Sequence, residues 1–364
     1  MMGRTSLQIG ACLFVLASVA TAAWAGEWPA LPDKDGSADI PAQSAEGTTE
    51  PRQVRVYVAY PQGELKNVGP GTGLMLTLHN WGGTAAAGTA DPRVLAQRYN
   101  VVAISLDYLH SGPWNEAAPD KAYDFGYVQA LDALRALWWV ETGLSQRQVK
   151  FHRGRTYAAG GSGGGNVTLM VNKLAPRTLA CAIDMCGMAE LSDDVAFGLP
   201  GGSSLNAGYQ QDPASPRYLS PDMQAIRFAG HPEHLQTMHQ LGATAKIVVV
   251  HGADDNVCPA ADKRAFVANA QDAKLDIEPH FITQADLDGK VLTGTGHSLG
   301  NRTEIVERFA GPYLRPDSDK ALARDGANDF ERREPIEYQT PRGKYVISYE
   351  QGFPVGRFED KDEG

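Results

Sequence analysis

Residues 157–168 read YAAGGSGGGNVT, and this stretch decides the fold. Gly160, Gly161, Ser162, Gly163 and Gly164 spell GxSxG between a short apolar run and a segment, residues 167–174, with the composition of a helix. The order is strand, sharp turn, helix. A serine hydroxyl is a weak nucleophile until it is lifted clear of the backbone and handed to a base, and a strained elbow does the lifting. Such a turn excludes bulky neighbours, a requirement that the glycines meet. The competing reading is a loop that cradles a phosphate. Here no Lys-Ser or Lys-Thr pair closes a P-loop pattern, and no GxGxxG with a suitably placed acid opens a dinucleotide-binding unit. Ser162 is therefore the candidate nucleophile.

Working outward, Val54, Val56, Val58 and Tyr60 alternate with polar or small residues, the period of a half-buried strand. Residues 74–78, 101–106, 155–159, 179–185 and 245–250 are apolar runs of strand length, with a weaker one at 276–283. Val128, Leu131, Leu134 and Leu137 fall at helical spacing and predict a long amphipathic helix over 124–142. Further helices are expected over 261–272 and 303–313. Strands alternating with helices indicate an α/β fold, a mostly parallel sheet with helices on both faces. Ligands then sit beyond the carboxyl ends of the strands. Residues 189–244 break the alternation with Gly, Pro and Ser turns, four aromatics (Phe197, Tyr209, Tyr218 and Phe228) and one helix over 232–241. Leaving from a strand end, they read as a cap inserted over the site. The main domain is thus 53–314. Residues 26–52 form an extended lead-in, and 315–364 a C-terminal extension in which Pro341, Arg342 and Gly343 turn a small hairpin.

Arg4, an apolar run over 9–23 and the AxA pattern at Ala23, Trp24 and Ala25 read as a signal peptide over residues 1–25. Cleavage near Ala25 would deliver a secreted or periplasmic protein. The run is too short and too Ala-rich to favour a membrane span. The chain carries 43 acidic against 33 basic residues, net charge −10, which argues against nucleic acid or an anionic membrane surface as partner. A small-molecule or polymer substrate remains, and composition fixes no oligomeric state. Cys181, Cys186 and Cys258 form no CxxC knuckle, so no metal or other cofactor is expected. His231, His234 and His239 in the cap read as exposed helix positions rather than metal ligands. Trp81, Tyr108 and Trp114 are candidates to line an acyl or sugar pocket.

A nucleophilic serine needs a base, and the base needs an orienting acid. Residues 247–259, IVVVHGADDNVCP, form a strand that delivers His251 and then two aspartates, and residues 295–297 put His297 in a glycine-rich loop before a helix. The chain order is Ser, Asp, His. With these residues the sequence resembles the serine α/β-hydrolases, most closely the catalytic domains of the prolyl oligopeptidase and dienelactone hydrolase type, over about residues 54–314. HGADDNVCP stands against that family's HGxxDxxVP, with Cys258 in place of the valine. The resemblance implies that Asp255 is the acid, with Asp254 a neighbour and Asp184 a lesser substitute.

It further implies an oxyanion loop at residues 79–83, HNWGG, similar to the family's HGxxG, with the N–H groups of Trp81 and Gly163 as donors. Asn80 stands where glycine is usual, and asparagine tolerates a left-handed backbone. Residues 296–300 spell a second GxSxG, but no histidine follows His297 to serve Ser298, so this is the histidine loop. The implied function is cleavage of a carboxylic ester through an acyl-enzyme, without a cofactor. The peptidase branch carries a large propeller domain before its hydrolase, for which the lead-in has no room. A peptidase of that type, or a non-catalytic binder on the same fold, is the alternative. Hydrolases of this kind set the strands before and after the cap side by side, which implies a disulfide between Cys186 and Cys258, with Cys181 a buried thiol.

Overall fold

The computed structural model describes residues 28–113, 121–200 and 202–361. The signal peptide read at 1–25 and the pocket role read for Trp114 lie outside the described residues.

The lead-in holds a strand that composition concealed: β1 (Gly36–Pro41) pairs antiparallel with β2 (Gln53–Ala59) and forms one edge of the main sheet. The chain continues through β3 (Gly73–Leu78), α1 (Pro92–Tyr99), β4 (Val101–Leu106), α2 (Tyr127–Gln146), β5 (Thr156–Gly161), α3 (Gly163–Leu174) and β6 (Cys181–Met185). Then come the cap helices α4 (Asp193–Phe197), α5 (Pro221–Arg227) and α6 (Pro232–Gln240), followed by β7 (Lys246–Gly252), α7 (Ala260–Asp272), β8 (Ile277–Ile282) and α8 (Arg302–Leu314). The eight strands run β1-β2-β4-β3-β5-β6-β7-β8, antiparallel through the first three and parallel from β4 to β8.

Alternate side chains of the central strands enter opposite cores, as the period of two requires. Leu76, Ala158, Ala182 and Val249 pack with Leu134 of α2 and Val171 of α3, while Met75, Tyr157, Ile183 and Val248 pack with Leu95 of α1 and Ile305 of α8. Both faces are covered, which explains why these strands read as unbroken apolar runs rather than alternating ones.

Among the described residues, three short helices occupy the cap where the pattern suggested one. The cap is fastened to α3, the helix that follows Ser162, by Lys173, whose buried side-chain nitrogen donates to the carbonyls of Ile226 at 2.7 Å and Phe228 at 2.9 Å. After α9 (Asp329–Arg332), the extension forms β9 (Ile336–Gln339), β10 (Gly343–Ser348) and β11 (Val355–Asp360); the expected hairpin is β9–β10, and β11 adds a third strand. This small sheet docks on the same helix, since the Tyr338 hydroxyl donates to the Lys173 carbonyl and that of Tyr349 to the Leu174 carbonyl. His234 is buried rather than exposed, with Nε2 at 2.7 Å from the Gln339 carbonyl, because α6 packs under β9.

Candidate active site

Strand β5 ends at Gly161 and α3 begins at Gly163, so Ser162 is the elbow between them. Its backbone sits at φ 55° and ψ −122°, a region that non-glycine residues avoid and that lifts the side chain out of the turn. The flanking glycine is a spatial necessity. A Cβ on Gly164 would lie 2.0 Å from the Leu78 carbonyl oxygen. The elbow can therefore press against β3 only without a side chain there.

Three loops at the carboxyl ends of parallel strands converge on this serine. Ser162 Oγ lies 2.8 Å from His297 Nε2, and His297 Nδ1 lies 2.9 Å from Asp255 Oδ2. The other oxygen of Asp255 accepts the backbone N–H groups of Val257 and Cys258, each at 3.0 Å. The carboxylate is buried. Burial works to raise its pKa, but the hydrogen bonds from His297 and from the Cys258 N–H hold it below the ordinary carboxylate value. An ionised Asp255 facing Nδ1 keeps the proton on that nitrogen and leaves Nε2 to accept from the serine.

Asp254 and Asp184 are excluded from this line by their own partners. Exposed Asp254 accepts the Thr295 hydroxyl at 2.7 Å. Asp184 lies under the sheet end, ion-paired with Lys263 and accepting the Gly187 N–H at 2.8 Å. Ser298 is exposed in the histidine loop.

The loop read as the oxyanion loop, residues 79–83, follows β3. A Cβ placed on Gly163 would lie 2.6 Å from Trp81 N, so the two N–H groups assigned as oxyanion donors are neighbours beside Ser162. Asn80 holds this loop differently from the expectation. Its backbone is not left-handed; Gly82 at φ 74° and Ala85 at φ 51° take the positive dihedrals instead. Asn80 closes the turn with its backbone, accepting from Gly83 N–H and donating to Ala87, both at 3.0 Å. Behind it, His79 is buried, stacked on Tyr108 at 3.9 Å and bonded through Nδ1 to the Asn80 carbonyl at 2.7 Å. Tyr108 donates to the His79 carbonyl, so it supports the loop rather than lining a pocket.

Trp81 lies beside Gly163, next to Ser162. Its ring stacks on Tyr123 at 3.8 Å and 6°, against an apolar cluster in which Phe125, Met188 and Cys258 meet the cap residues Leu191, Val195 and Tyr209. Surface hollows elsewhere, one against Tyr57 and Arg93 and another between Glu46, Tyr127 and Arg342, do not include Ser162. Converging reactive groups, rather than hollow size, mark the site.

The expected Cys186–Cys258 bridge is not formed: both are free, buried thiols. Adjacent strands are not enough, because the two side chains enter different layers. Cys186, itself at φ 55°, packs with Met185, Val250 and Leu299 and takes the Gly252 N–H at 3.4 Å, whereas Cys258 packs with Phe125 and Met188 beneath the cap. Burial pushes both thiols up, away from the reactive thiolate form. Cys186 Sγ, an Asp255 oxygen and a His297 nitrogen lie within 4.8 Å of one another, the donor set among the described residues that comes nearest to a metal site, but Asp255 and His297 are already engaged with each other.

The fold is similar to that of the acylaminoacyl peptidase of Pyrococcus horikoshii, at a TM-score of 0.52 and 12% identity, covering 79% of this chain and 43% of that one. A puromycin-hydrolyzing peptidase of Mycobacterium tuberculosis matches at a TM-score of 0.49 and 16% identity, over 75% of this chain and 38% of that one. Esterase 2 of Thermogutta terrifontis matches at 0.41 and 14%, over 68% and 83% respectively. The chain thus spans less than half the length of the two peptidases. At such identities the likeness speaks to fold alone, and the fold is that of the α/β-hydrolases. A comparison with curated proteins gives no match. The family described as a protein of unknown function, DUF2920, matches residues 117–308, more than half of the chain, and the chain belongs to that family.

Proposed function

We propose that this protein is an exported serine hydrolase that cleaves a carboxylic ester through an acyl-enzyme. The observation that carries the proposal is the unbroken hydrogen-bonded line from Ser162 through His297 to Asp255. In the first step His297 Nε2 takes the Ser162 proton as Oγ adds to the substrate carbonyl, and the oxyanion turns toward Trp81 N–H and Gly163 N–H. The imidazolium, balanced by Asp255, then protonates the leaving alcohol. Water attacks the acyl-serine by the same route in reverse. No step calls on a metal or an organic cofactor.

An ester is favoured by the apolar character of the surroundings. The half-buried ring of Trp81 is backed by the buried side chains of Tyr123, Phe125 and Met188, and its uncovered surface suits an acyl chain or an apolar alcohol. A peptide in extended form would ask for paired backbone donors and acceptors instead. Export follows from the leader read at residues 1–25, and N-terminal sequencing of the protein recovered outside the cytoplasm, expected to start near Gly26, tests it.

The activity is tested with purified protein against p-nitrophenyl esters of two to twelve acyl carbons (roughly the span an apolar wall can sample) beside peptide p-nitroanilides. Turnover of esters that is lost in Ser162→Ala supports the proposal. Turnover of anilides in preference to esters would assign a peptidase, and no turnover together with no covalent labelling would leave a binding protein.

A further inference from the structure

The GxSxG stretch contains a glycine that the elbow itself does not explain. A Cβ on Gly161 would lie 2.4 Å from Arg302 Nη1 and 2.5 Å from the Gly88 carbonyl oxygen. The space beside the nucleophile, where a side chain would otherwise stand, is filled by a guanidinium from the far end of the sequence. Arg302 is the first residue of α8, and its position is fixed by Asn301, whose Oδ1 accepts from Thr303 N–H at 3.1 Å and Glu304 N–H at 3.3 Å.

From there the fork reaches two reacting segments. Nη1 donates to the Met185 carbonyl at 2.8 Å, the same oxygen that accepts Ser162 N–H at 2.9 Å. Nη2 reaches the His297 carbonyl at 3.4 Å. One planar cation therefore joins the backbone acceptor of the nucleophile to the backbone of the base, and it lies near the Gly88 carbonyl, five residues beyond the oxyanion loop. Charge-assisted hydrogen bonds are stronger than neutral ones, and a two-armed fork fixes direction as well as distance, which a lysine cannot reproduce.

We infer that Arg302 is the positioning residue that sets His297 against Ser162, acting through the Met185 and His297 carbonyls rather than on substrate. The inference rests on the serine-hydrolase proposal. Gly161 is its sequence counterpart, the vacancy that lets the guanidinium in.

The test compares wild type with Arg302→Lys and Arg302→Ala in p-nitrophenyl ester hydrolysis and in the rate of labelling by a fluorophosphonate, with methylguanidinium added to the alanine variant. A misplacement of about 1 Å at reacting atoms costs up to about 100-fold, so kcat and labelling rate should fall by about 10- to 100-fold while KM changes little. Methylguanidinium should restore much of the loss in Arg302→Ala, a response that a purely structural role would not give. Wild-type kcat in both variants overturns the assignment, as does a loss that is accompanied by unfolding and unrelieved by methylguanidinium. If wild type itself neither turns over esters nor labels, the hydrolase reading falls and takes the role of Arg302 with it.

Discussion

Replacing Asp255 by asparagine exchanges one oxygen for an NH₂ group, and the surroundings dictate which way that amide turns. Oδ1 of Asp255 accepts two backbone N–H groups, from Val257 and Cys258, each at 3.0 Å. Pointing an NH₂ at two donors forfeits both hydrogen bonds in a buried site, so the amide oxygen stays with them and the NH₂ faces His297 Nδ1. That nitrogen must then accept, which moves the imidazole proton to Nε2, the atom that has to take the proton of Ser162 from 2.8 Å away. The base is in the wrong tautomer and has lost its counter-charge. Neutralising a triad acid in this way lowers kcat by about 10⁴-fold, or about 5 kcal/mol of transition-state stabilisation. Asp254→Asn changes only an exposed group whose amide oxygen can still accept from the Thr295 hydroxyl, so its cost should be about 1 kcal/mol at most. Steady-state hydrolysis of a short p-nitrophenyl ester reads both variants, with circular dichroism to verify folding. An Asp255→Asn enzyme within tenfold of wild type (about 1.4 kcal/mol), or an Asp254→Asn enzyme that is the more damaged, would refute the assignment of the acid.

Gly163→Ala drives a methyl group to within 2.6 Å of Trp81 N, forcing the two oxyanion donors apart; kcat should fall by about 10²- to 10³-fold with folding intact, and an active alanine variant would show that the oxyanion is held elsewhere. Lys263→Met removes the cation that pairs with the buried Asp184 side chain and leaves it the Gly187 N–H, which should cost about 3–5 kcal/mol, read as a fall of several degrees in Tm. The double variant Asp184→Asn with Lys263→Met should recover most of that loss, and equal melting of wild type and the single variant would contradict it. His251 is held neutral, its pKa pushed down to about 4 by burial and by the charge of Lys263, against the opposing pull of Asp184, the Cys258 carbonyl and Asp255. Because the unfolded histidine binds its proton near pH 6.5, this group contributes its full stability above that pH and loses it as pH falls toward 4, a change on the order of 3 kcal/mol. Thermal melts across that window should slope more gently for His251→Asn than for wild type, and parallel slopes would count against the account.

Much of this molecule was legible before its structure, because its central strands are buried on both faces and so read as apolar runs, and because an elbow that presses glycine backbone against a neighbouring strand leaves an unmistakable pattern at residues 160–164. The histidine and the aspartate could be ordered along the chain, since each follows a strand. What escaped depends on distance rather than pattern. Strand β1, GSADIP, lies among Gly, Ser and Pro residues, and only its pairing with β2 makes it a strand. Helices α4 and α5 span five and seven residues, too few for a periodicity to declare itself. The cysteine pair failed because strand adjacency does not say which layer a side chain enters, and Cys186 turns at a positive φ. Arg302 gave one signal, the extra glycine at 161, which is interpretable only once its neighbour is known.

The central claim is that Ser162 is a nucleophile activated by His297, and covalent labelling tests it most directly. Wild-type protein treated with a fluorophosphonate and digested should carry the adduct on the peptide containing Ser162, and His297→Ala should abolish labelling without unfolding the chain. An adduct on the peptide containing Ser298, or undiminished labelling in the Ser162→Ala protein, would contradict the account.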